Sequence, residues 1–458
     1  MDTLTSRSEK IILEKLNSAG YEAFFAGGCV RDAVMQKLKM TVPSSGDIDV
    51  TTNALPKDTE RVFDKYQVIE TGIKHGTVTV VLQEGNVEIT TYRSDGSYSD
   101  SRHPDNVRFV TSLEEDLARR DFTINAMACD ADGNIRDPFG GQQDIKDRII
   151  RAVGCAEKRF AEDALRIMRA LRFAAVLGFE IEDETSRALC THKQLLRNVS
   201  TERIFAEFRK LVSGRNAGEV IRKYADVLGV VIPELAAMKG FEQHNPYHRY
   251  DVLEHCIRAM EAVRTTPENR DYMKMAALFH DIGKPETYSM DETGIGHFYS
   301  HPAMSEVLVS GIMKRFKADN FTARRVAVLV KRHDLIFEKD ERLLKKWMNR
   351  LGADVLAEIL EIKLADNMAT GNMSLELERK FCEIRIMIHD ILAQQQCFSL
   401  KDLAVDGNDV IACGVAPGPE VGRVLEQLLM KVIDGELPND REVLLAICYD
   451  AIKCGILT

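Results

Sequence analysis

Residues 25–50, FAGGCVRDAVMQKLKMTVPSSGDIDV, decide how the rest of the chain is read. An apolar run, Ala23 to Ala26, meets a Gly27-Gly28 turn. A short amphipathic segment opens at Val30-Arg31-Asp32, and then Asp47 and Asp49 bracket Ile48. In an extended strand, residues i and i+2 point to the same face, so the two aspartates project together while Ile48 and Val50 face the core. Carboxylates held that close repel each other unless a cation lies between them. Hard divalent ions take carboxylate oxygens, and Mg2+ usually adds substrate phosphates. The glycine turn offers backbone N–H groups at a helix start, a ready phosphate site. Arg31 adds a forked phosphate donor. Asp-x-Asp alone is commonly a solvated turn; the strand–turn–helix–strand order is what makes this stretch specific.

With 458 residues the chain exceeds one compact core, and three or four modules are expected. The N-terminal MDTLTSRSEK lacks a signal-peptide core and no apolar run reaches membrane-span length. Ten cysteines are scattered without a C-x-x-C pair, which predicts thiols in a reducing cytoplasm. The net charge of −10 excludes a chain coated in basic surface, so any RNA contact must use local basic ridges.

Outward from the central stretch, residues 5–19 have helical periodicity ending at Gly20. A loop with Pro56 leads into another helix. Strand-like runs follow at Tyr66–Thr71, Thr77–Leu82 and Val87–Tyr92, the last carrying Glu88. Residues 93–106, RSDGSYSDSRHPDN, have no periodicity and read as a loop placed to gate the carboxylate strands. In LARRDFTINAMAC, Arg119 and Arg120 precede an apolar stretch expected to be helical. The stretch FAEDALRIMRALRFA (160–174) reads as one helix with arginines every third residue from Asp163: Arg166, Arg169 and Arg172. On such a helix Asp163 and Arg166 sit side by side. They then offer an acceptor and a fork of donors to a base edge, or simply pair with each other. The rest of the chain reads as all-helical.

Most of the eleven histidines crowd into residues 244–333. His255, His280, Asp281 and Asp366 are the candidate ligands of a divalent metal, with His301 and His333 as further ones. Near the end, Gly414, Pro417, Gly418, Pro419 and Gly422 form a turn into a helix, whose backbone N–H groups suit an RNA phosphate.

Four ordered motifs carry a resemblance: GG-x-V-R-D at Gly27–Asp32, D-x-D at Asp47–Asp49, RRDFTINAMA at Arg119–Ala128, and E-D-x-x-R at Glu162–Arg166. Together with DGNDVI…PGPEVG near the C-terminus, they resemble the class II nucleotidyltransferases, the tRNA CCA-adding enzymes and bacterial poly(A) polymerases. The His…His-Asp…Asp order resembles the HD-domain metal phosphohydrolases. The resemblance implies an α+β fold: a mixed-sheet head (1–150), a helical neck (151–240), an HD-type helical domain (241–370) and a helical tail (371–458). It implies tRNA, CTP and ATP as partners and template-independent addition of CCA, or of the terminal A, to the tRNA 3′ end. Asp47 and Asp49 would hold Mg2+, with Glu88 as a third acid to test. Gly28, Arg31 and Arg120 would meet the phosphates. Asp163 and Arg166 would select the base, supported by Arg169 and Arg172. The HD site would take a second divalent metal, Mn, Ni or Mg. TGIKHGTVTVV lacks the Arg-Arg-Phe run of poly(A) polymerases, and the retained 93–106 loop argues against CC-only addition. A metal-dependent phosphohydrolase with an RNA-binding head, and a non-catalytic RNA scaffold, are the readings from other classes. Arg324-Arg325, Lys331-Arg332 and Lys345-Lys346 are candidate tRNA contacts.

Overall fold

A computed structural model describes residues 7–42, 48–72, 76–83, 85–95, 107–246, 248–371 and 373–453. The chain forms two compact units. One comprises 1–237 with 312–319, the other 238–311 with 320–458.

The first unit opens with α1 (Arg7–Ser18), β1 (Ala23–Ala26), α2 (Gly28–Lys37), β2 (Ile48–Thr52) and α3 (Pro56–Val62). Pro56 starts α3, where its missing N–H costs nothing. Then come β3 (Gln67–Gly72), β4 (Thr77–Leu82), β5 (Gly85–Thr91), β6 (Arg93–Asp95), β7 (Val107–Phe109) and α4 (Leu113–Ala118). After these run β8 (Ala128–Cys129), β9 (Ile135–Arg136), α5 (Gly141–Asp147) and β10 (Ile149–Ile150). The main sheet has the order β3-β4-β5-β2-β1-β8-β9 and is mixed: β2 runs parallel to β5 but antiparallel to β1. Alternating burial along β5, with Val87 and Ile89 inward, sets its register on β2. The ribbon β6–β7 flanks residues 96–106, the greater part of the expected gating loop, which lie outside the described residues.

The neck of this unit contains α6 (Ala156–Glu162), α7 (Leu165–Phe173), β11 (Glu180–Ile181), α8 (Asp183–His192), α9 (Thr201–Val212), α10 (Ala217–Leu228) and α11 (Pro233–Met238). Ile204, Phe205, Phe208, Leu211 and Val212 form the buried face of α9. Each such side chain contributes roughly 2 kcal/mol by leaving water.

The second unit holds α12 (Val252–Ala262), α13 (Arg270–Phe279), α14 (Lys284–Thr287), the hairpin β12 (Tyr288–Met290)–β13 (Gly296–Phe298), and the start of α15 (His301–Arg315). It continues with α16 (Asn320–Arg332), α17 (Glu341–Leu351), α18 (Ala353–Ala369), α19 (Leu375–Ala393), α20 (Gly407–Ala412), α21 (Pro419–Ile433) and α22 (Arg441–Lys453). Cys256, Ile257 and Met260 of α12, Met273, Ala276 and Ala277 of α13, and Ile359 and Ile362 of α18 are buried. A separate apolar cluster, including Val410, Val424, Leu428 and Leu444, joins the last helices.

Three expectations need correction. The apolar stretch after Arg120 is not a helix. It is a 3-10 turn at Thr123–Asn125 running into β8, because Asp121 bonds the Phe122 N–H and the Asn125 amide at 2.8 and 3.2 Å. Residues 160–174 are not one helix either. Asp163 is extended (φ −138°, ψ 103°) and caps the Leu165 N–H at 3.0 Å, separating α6 from α7. Nor is the region past residue 174 strand-free: β11 pairs with β10, and β12 with β13.

Candidate nucleotide and metal sites

The turn between β1 and α2 is the meeting point of the head. Gly27 has φ +76° and ψ −131°, a conformation that costs an L-residue on the order of 1 kcal/mol or more. A Cβ there would lie 2.9 Å from Arg120 Nη1 and 3.3 Å from Asp49 Oδ2. A carboxylate and a guanidinium therefore converge on one piece of bare backbone, at the start of α2. We expect Gly27→Ala to fold but to lose about tenfold or more in kcat/KM for CTP, equivalent to ~1.4 kcal/mol at the transition state. Steady-state incorporation within twofold of wild type would contradict this.

Asp49 sits half-buried on β2, and its register partner on β5 is Glu88, which is exposed. Asp47, the other carboxylate of the pair, lies outside the described residues. Arg31 is buried rather than held out to solvent. Its Nη2 is 2.7 Å from Asp32 Oδ1, and its Nη1 donates to Asn125 Oδ1 at 3.0 Å. A Cβ on Gly28 would be 3.7 Å from Arg31 Nη2, so the guanidinium still flanks the turn.

Asp116 was not singled out in the sequence, yet it organises the arginine pair. Its fully buried carboxylate contacts Arg119 at 2.8 Å and Arg120 at 3.5 Å, and accepts from Thr51 of β2 at 3.0 Å. Burial works to raise this carboxyl, but Arg119 and Arg120 hold it below the ordinary range. The signal was present: Asp116, Arg119 and Arg120 stand at i, i+3 and i+4 at the end of a helix.

Asp163 and Arg166 are not paired with each other. Asp163 Oδ2 accepts from Arg203 of α9 at 3.1 Å. Arg166 is buried against Glu162 at 2.8 Å and donates to the Arg119 carbonyl at 3.0 Å. Arg169 bonds Asp121 at 2.7 Å, and Arg172 meets Glu207 of α9 at 2.7 Å while lying over the Phe173 ring. Burial opposes ionisation of Asp121, but Arg169 overrides it and holds the carboxyl at about 2. Burial draws Arg172 down to about 10, against the pull of Glu207. Arg203 and Glu207 come from α9 and carried no sequence signal; Asp121 lies inside the Arg119–Ala128 motif, but nothing local tied it to Arg169.

In the second unit, His255 of α12, His280 and Asp281 after α13, and Asp366 of α18 come together. His255 Nε2 is 3.0 Å from Asp366 Oδ1 and 3.5 Å from Asp281 Oδ2. His280 Nε2 is 3.3 Å from Asp281 Oδ2 and 3.3 Å from His255 Nε2. His301 and His333 also face Asp281. Nitrogen and oxygen donors converging in a buried pocket suit a borderline divalent metal. Lys284 donates to Gln243 at 2.8 Å and lies 2.7 Å from Asp281 Oδ2.

Most of the basic pairs expected to meet RNA are neutralised locally. Arg325 binds Asp354 and Glu358 at 2.6 Å each, Lys331 binds Glu306 at 2.7 Å, Lys345 binds Glu341 at 2.8 Å and Lys346 binds Asp434 at 2.5 Å. Among the described residues no helix is long and apolar enough to cross a membrane.

Residues 23–151 match the Poly A polymerase head domain, 178–238 the probable RNA and SrmB-binding site of polymerase A, and 291–448 the putative tRNA nucleotidyltransferase domain 2. A CCA-adding enzyme of Streptococcus gordonii is 32% identical over 451 residues, covering 97% of this chain and 98% of that one. One from Lactobacillus delbrueckii is 34% identical over 431 residues, 94% of each chain. The crystal structure of the Bacillus stearothermophilus CCA-adding enzyme in complex with CTP superposes with a TM-score of 0.70 at 30% identity, covering 98% of this chain and 97% of that one. Similarity at this level spans nearly the whole chain and joins the motif order to the observed fold, so the chain belongs to the CCA-adding enzymes of the class II tRNA nucleotidyltransferases.

Proposed function

We infer that this protein adds CCA to the 3′ end of tRNA from CTP and ATP. The observation that carries the reading is the convergence of Asp49 and Arg120 on Gly27 at the start of α2. The RNA 3′-hydroxyl oxygen bonds the α-phosphorus, and pyrophosphate and a proton are released. Mg2+ fits the head because its donors there are hard carboxylate oxygens; it would supply charge neutralisation at the reacting phosphate. Asp47 and Asp49 would hold it, and Glu88 beside Asp49 is the position to test as a third acid. Arg120, steadied by Asp116, meets the triphosphate, and the bare backbone at Gly27 and Gly28 lets the phosphates approach.

Asp163 and Arg166 present the base-reading edge in this reading. Arg166 is fixed by Glu162 and the Arg119 carbonyl, so its position is tied to the phosphate-binding segment. Arg169 and Arg172 act as struts, braced on Asp121 and Glu207. Residues 1–150 would perform the chemistry and 151–240 the base selection. Residues 241–370 would bind a divalent metal through His255, His280, Asp281 and Asp366, and 371–458 would contact tRNA.

The test is tRNA lacking its 3′ end, incubated with CTP, ATP and Mg2+, and sequenced at the terminus. Appearance of CCA supports the reading; no extension, A alone or an A tract defeats it. Asp163→Ala should blur the choice between CTP and ATP by about tenfold or more, the cost of losing one good base-edge hydrogen bond. Arg203→Ala should blur it less, because it only loosens Asp163. Unchanged CTP/ATP preference in Asp163→Ala would remove this residue from selection.

A further inference from the structure

We propose that Phe173 is a positioning residue for nucleotide addition, its ring gathering the guanidiniums of Arg31, Arg169 and Arg172 beside the glycine turn. Arg31 comes from α2 of the head, whereas Arg169 and Arg172 come from α7, which ends at Phe173. The guanidinium carbon of Arg172 lies 3.9 Å from the ring centroid, that of Arg31 5.3 Å and that of Arg169 5.4 Å. The ring is buried, and Phe122 meets it edge-on at 5.8 Å and 82°. A polar chain closes the same circuit. Arg31 donates to Asn125 Oδ1 at 3.0 Å, the Asn125 amide donates to Asp121 at 3.2 Å, and Arg169 donates to Asp121 at 2.7 Å. The arginine beside the turn and the arginines of α7 are therefore held to one another twice, by this chain and by the ring.

Three like charges around one ring repel one another. Each is met by a carboxylate at 2.7 Å: Arg31 by Asp32, Arg169 by Asp121 and Arg172 by Glu207. Burial, and then the neighbouring Arg169 and Arg31, still work against the charge on Arg172. A ring face suits this place because its negative quadrupole attracts a cation without accepting its N–H bonds. It adds a hold on each guanidinium and leaves the donors for an anion, which a further carboxylate would not. Arg31 is the member closest to the turn: its Nη2 is 3.7 Å from where a Gly28 side chain would begin. A triphosphate arriving there meets a cation already in place, so binding is spared the entropy of ordering that side chain. Phe173 reads no base. Its effect should fall equally on CTP and ATP, unlike that of Asp163.

Because this role rests on the glycine turn receiving the triphosphate, two kinds of variant are needed. In the first, Phe173 of the full-length chain is replaced by phenylalanine carrying one, two or three ring fluorines, which weaken the quadrupole stepwise at nearly constant shape. Addition to tRNA lacking its 3′ end is then measured against CTP and ATP concentration, with circular dichroism reporting the fold. KM for both nucleotides should rise step by step, reaching about tenfold at three fluorines, the size of one desolvated cation–ring contact. kcat should stay within about twofold, as when binding common to ground and transition states is lost. Phe173→Leu should raise KM at least as far; should it fail to fold, the fluorine series decides. A KM that is flat along the series, or that rises for one nucleotide only, overturns the proposal. The second variant, Arg31→Lys, separates the two ideas. A raised KM there beside a flat fluorine series removes Phe173 alone, whereas an unchanged KM in both overturns the triphosphate reading of the turn as well.

Discussion

Asp49→Ala should abolish CCA addition while leaving tRNA binding near wild type. Asp49 is the described carboxylate that faces the glycine turn, with its Oδ2 3.3 Å from where a Gly27 side chain would begin. In the proposed reading, removing it takes away a ligand for the divalent ion at the point where negative charge builds on the α-phosphate. Losing a single electrostatic contact of this kind costs on the order of 10²–10³ in kcat. Loss of the ion itself costs more, so turnover should fall by at least about 10³-fold. β2 should survive the change, since Asp49 is only half-buried and its neighbours Val50, Thr51 and Thr52 carry the packing. Single-turnover extension of truncated tRNA, with a filter-binding measurement alongside, checks both halves. Addition within tenfold of wild type would remove Asp49 from the metal site.

Glu207→Ala should destabilise the first unit by about 3 kcal/mol or more. Glu207 lies on α9, nearly buried, with Arg172 at 2.7 Å and Arg169 at 4.0 Å. Truncation leaves the deeply placed Arg172 guanidinium without its counter-charge, and breaking one side of a buried ion pair costs roughly 3–5 kcal/mol. Stacking on Phe173 does not replace that charge, because an arginine–ring contact contributes only about 1–2 kcal/mol and is already present. Urea titration of wild type and variant measures the difference. Glu207→Gln, which keeps the volume and an acceptor, should fall between them. A shift below about 0.5 kcal/mol for Glu207→Ala would mean Arg172 re-pairs or reaches water.

The strands around the active acids, the glycine turn and the helical character of the neck were legible because their signals are local. Alternation with period two marks β5, and Pro56 marks the start of α3. The break at Asp163 was not legible. Residues 160–174 hold no Gly or Pro and are rich in Ala, Leu, Arg and Met, and intrinsic propensity differences are a few tenths of a kcal/mol per residue. One cap on Leu165 and an ion pair to Arg203, forty residues downstream, outweigh that sum. The basic pairs Lys331-Arg332 and Lys345-Lys346 looked like RNA contacts for the same reason. Lys331 and Lys346 are met by Glu306 of α15 and Asp434 at the end of α21, whereas Lys345 is met by Glu341 of its own helix.

Sequence alone determined which chemical groups this protein has and which of them lie on one short segment: the acid on β2, the bare turn before α2, the arginines of α7 and the histidines of residues 244–333. Only the tertiary structure decided their pairing. It moved Asp163 from Arg166 to Arg203, placed Asp116 under both Arg119 and Arg120, and turned the two oxygens of Asp281 toward two different histidine pairs. The physical reason is that a charged side chain in a buried place must find its partner wherever packing brings one, at a sequence distance that periodicity and spacing do not encode.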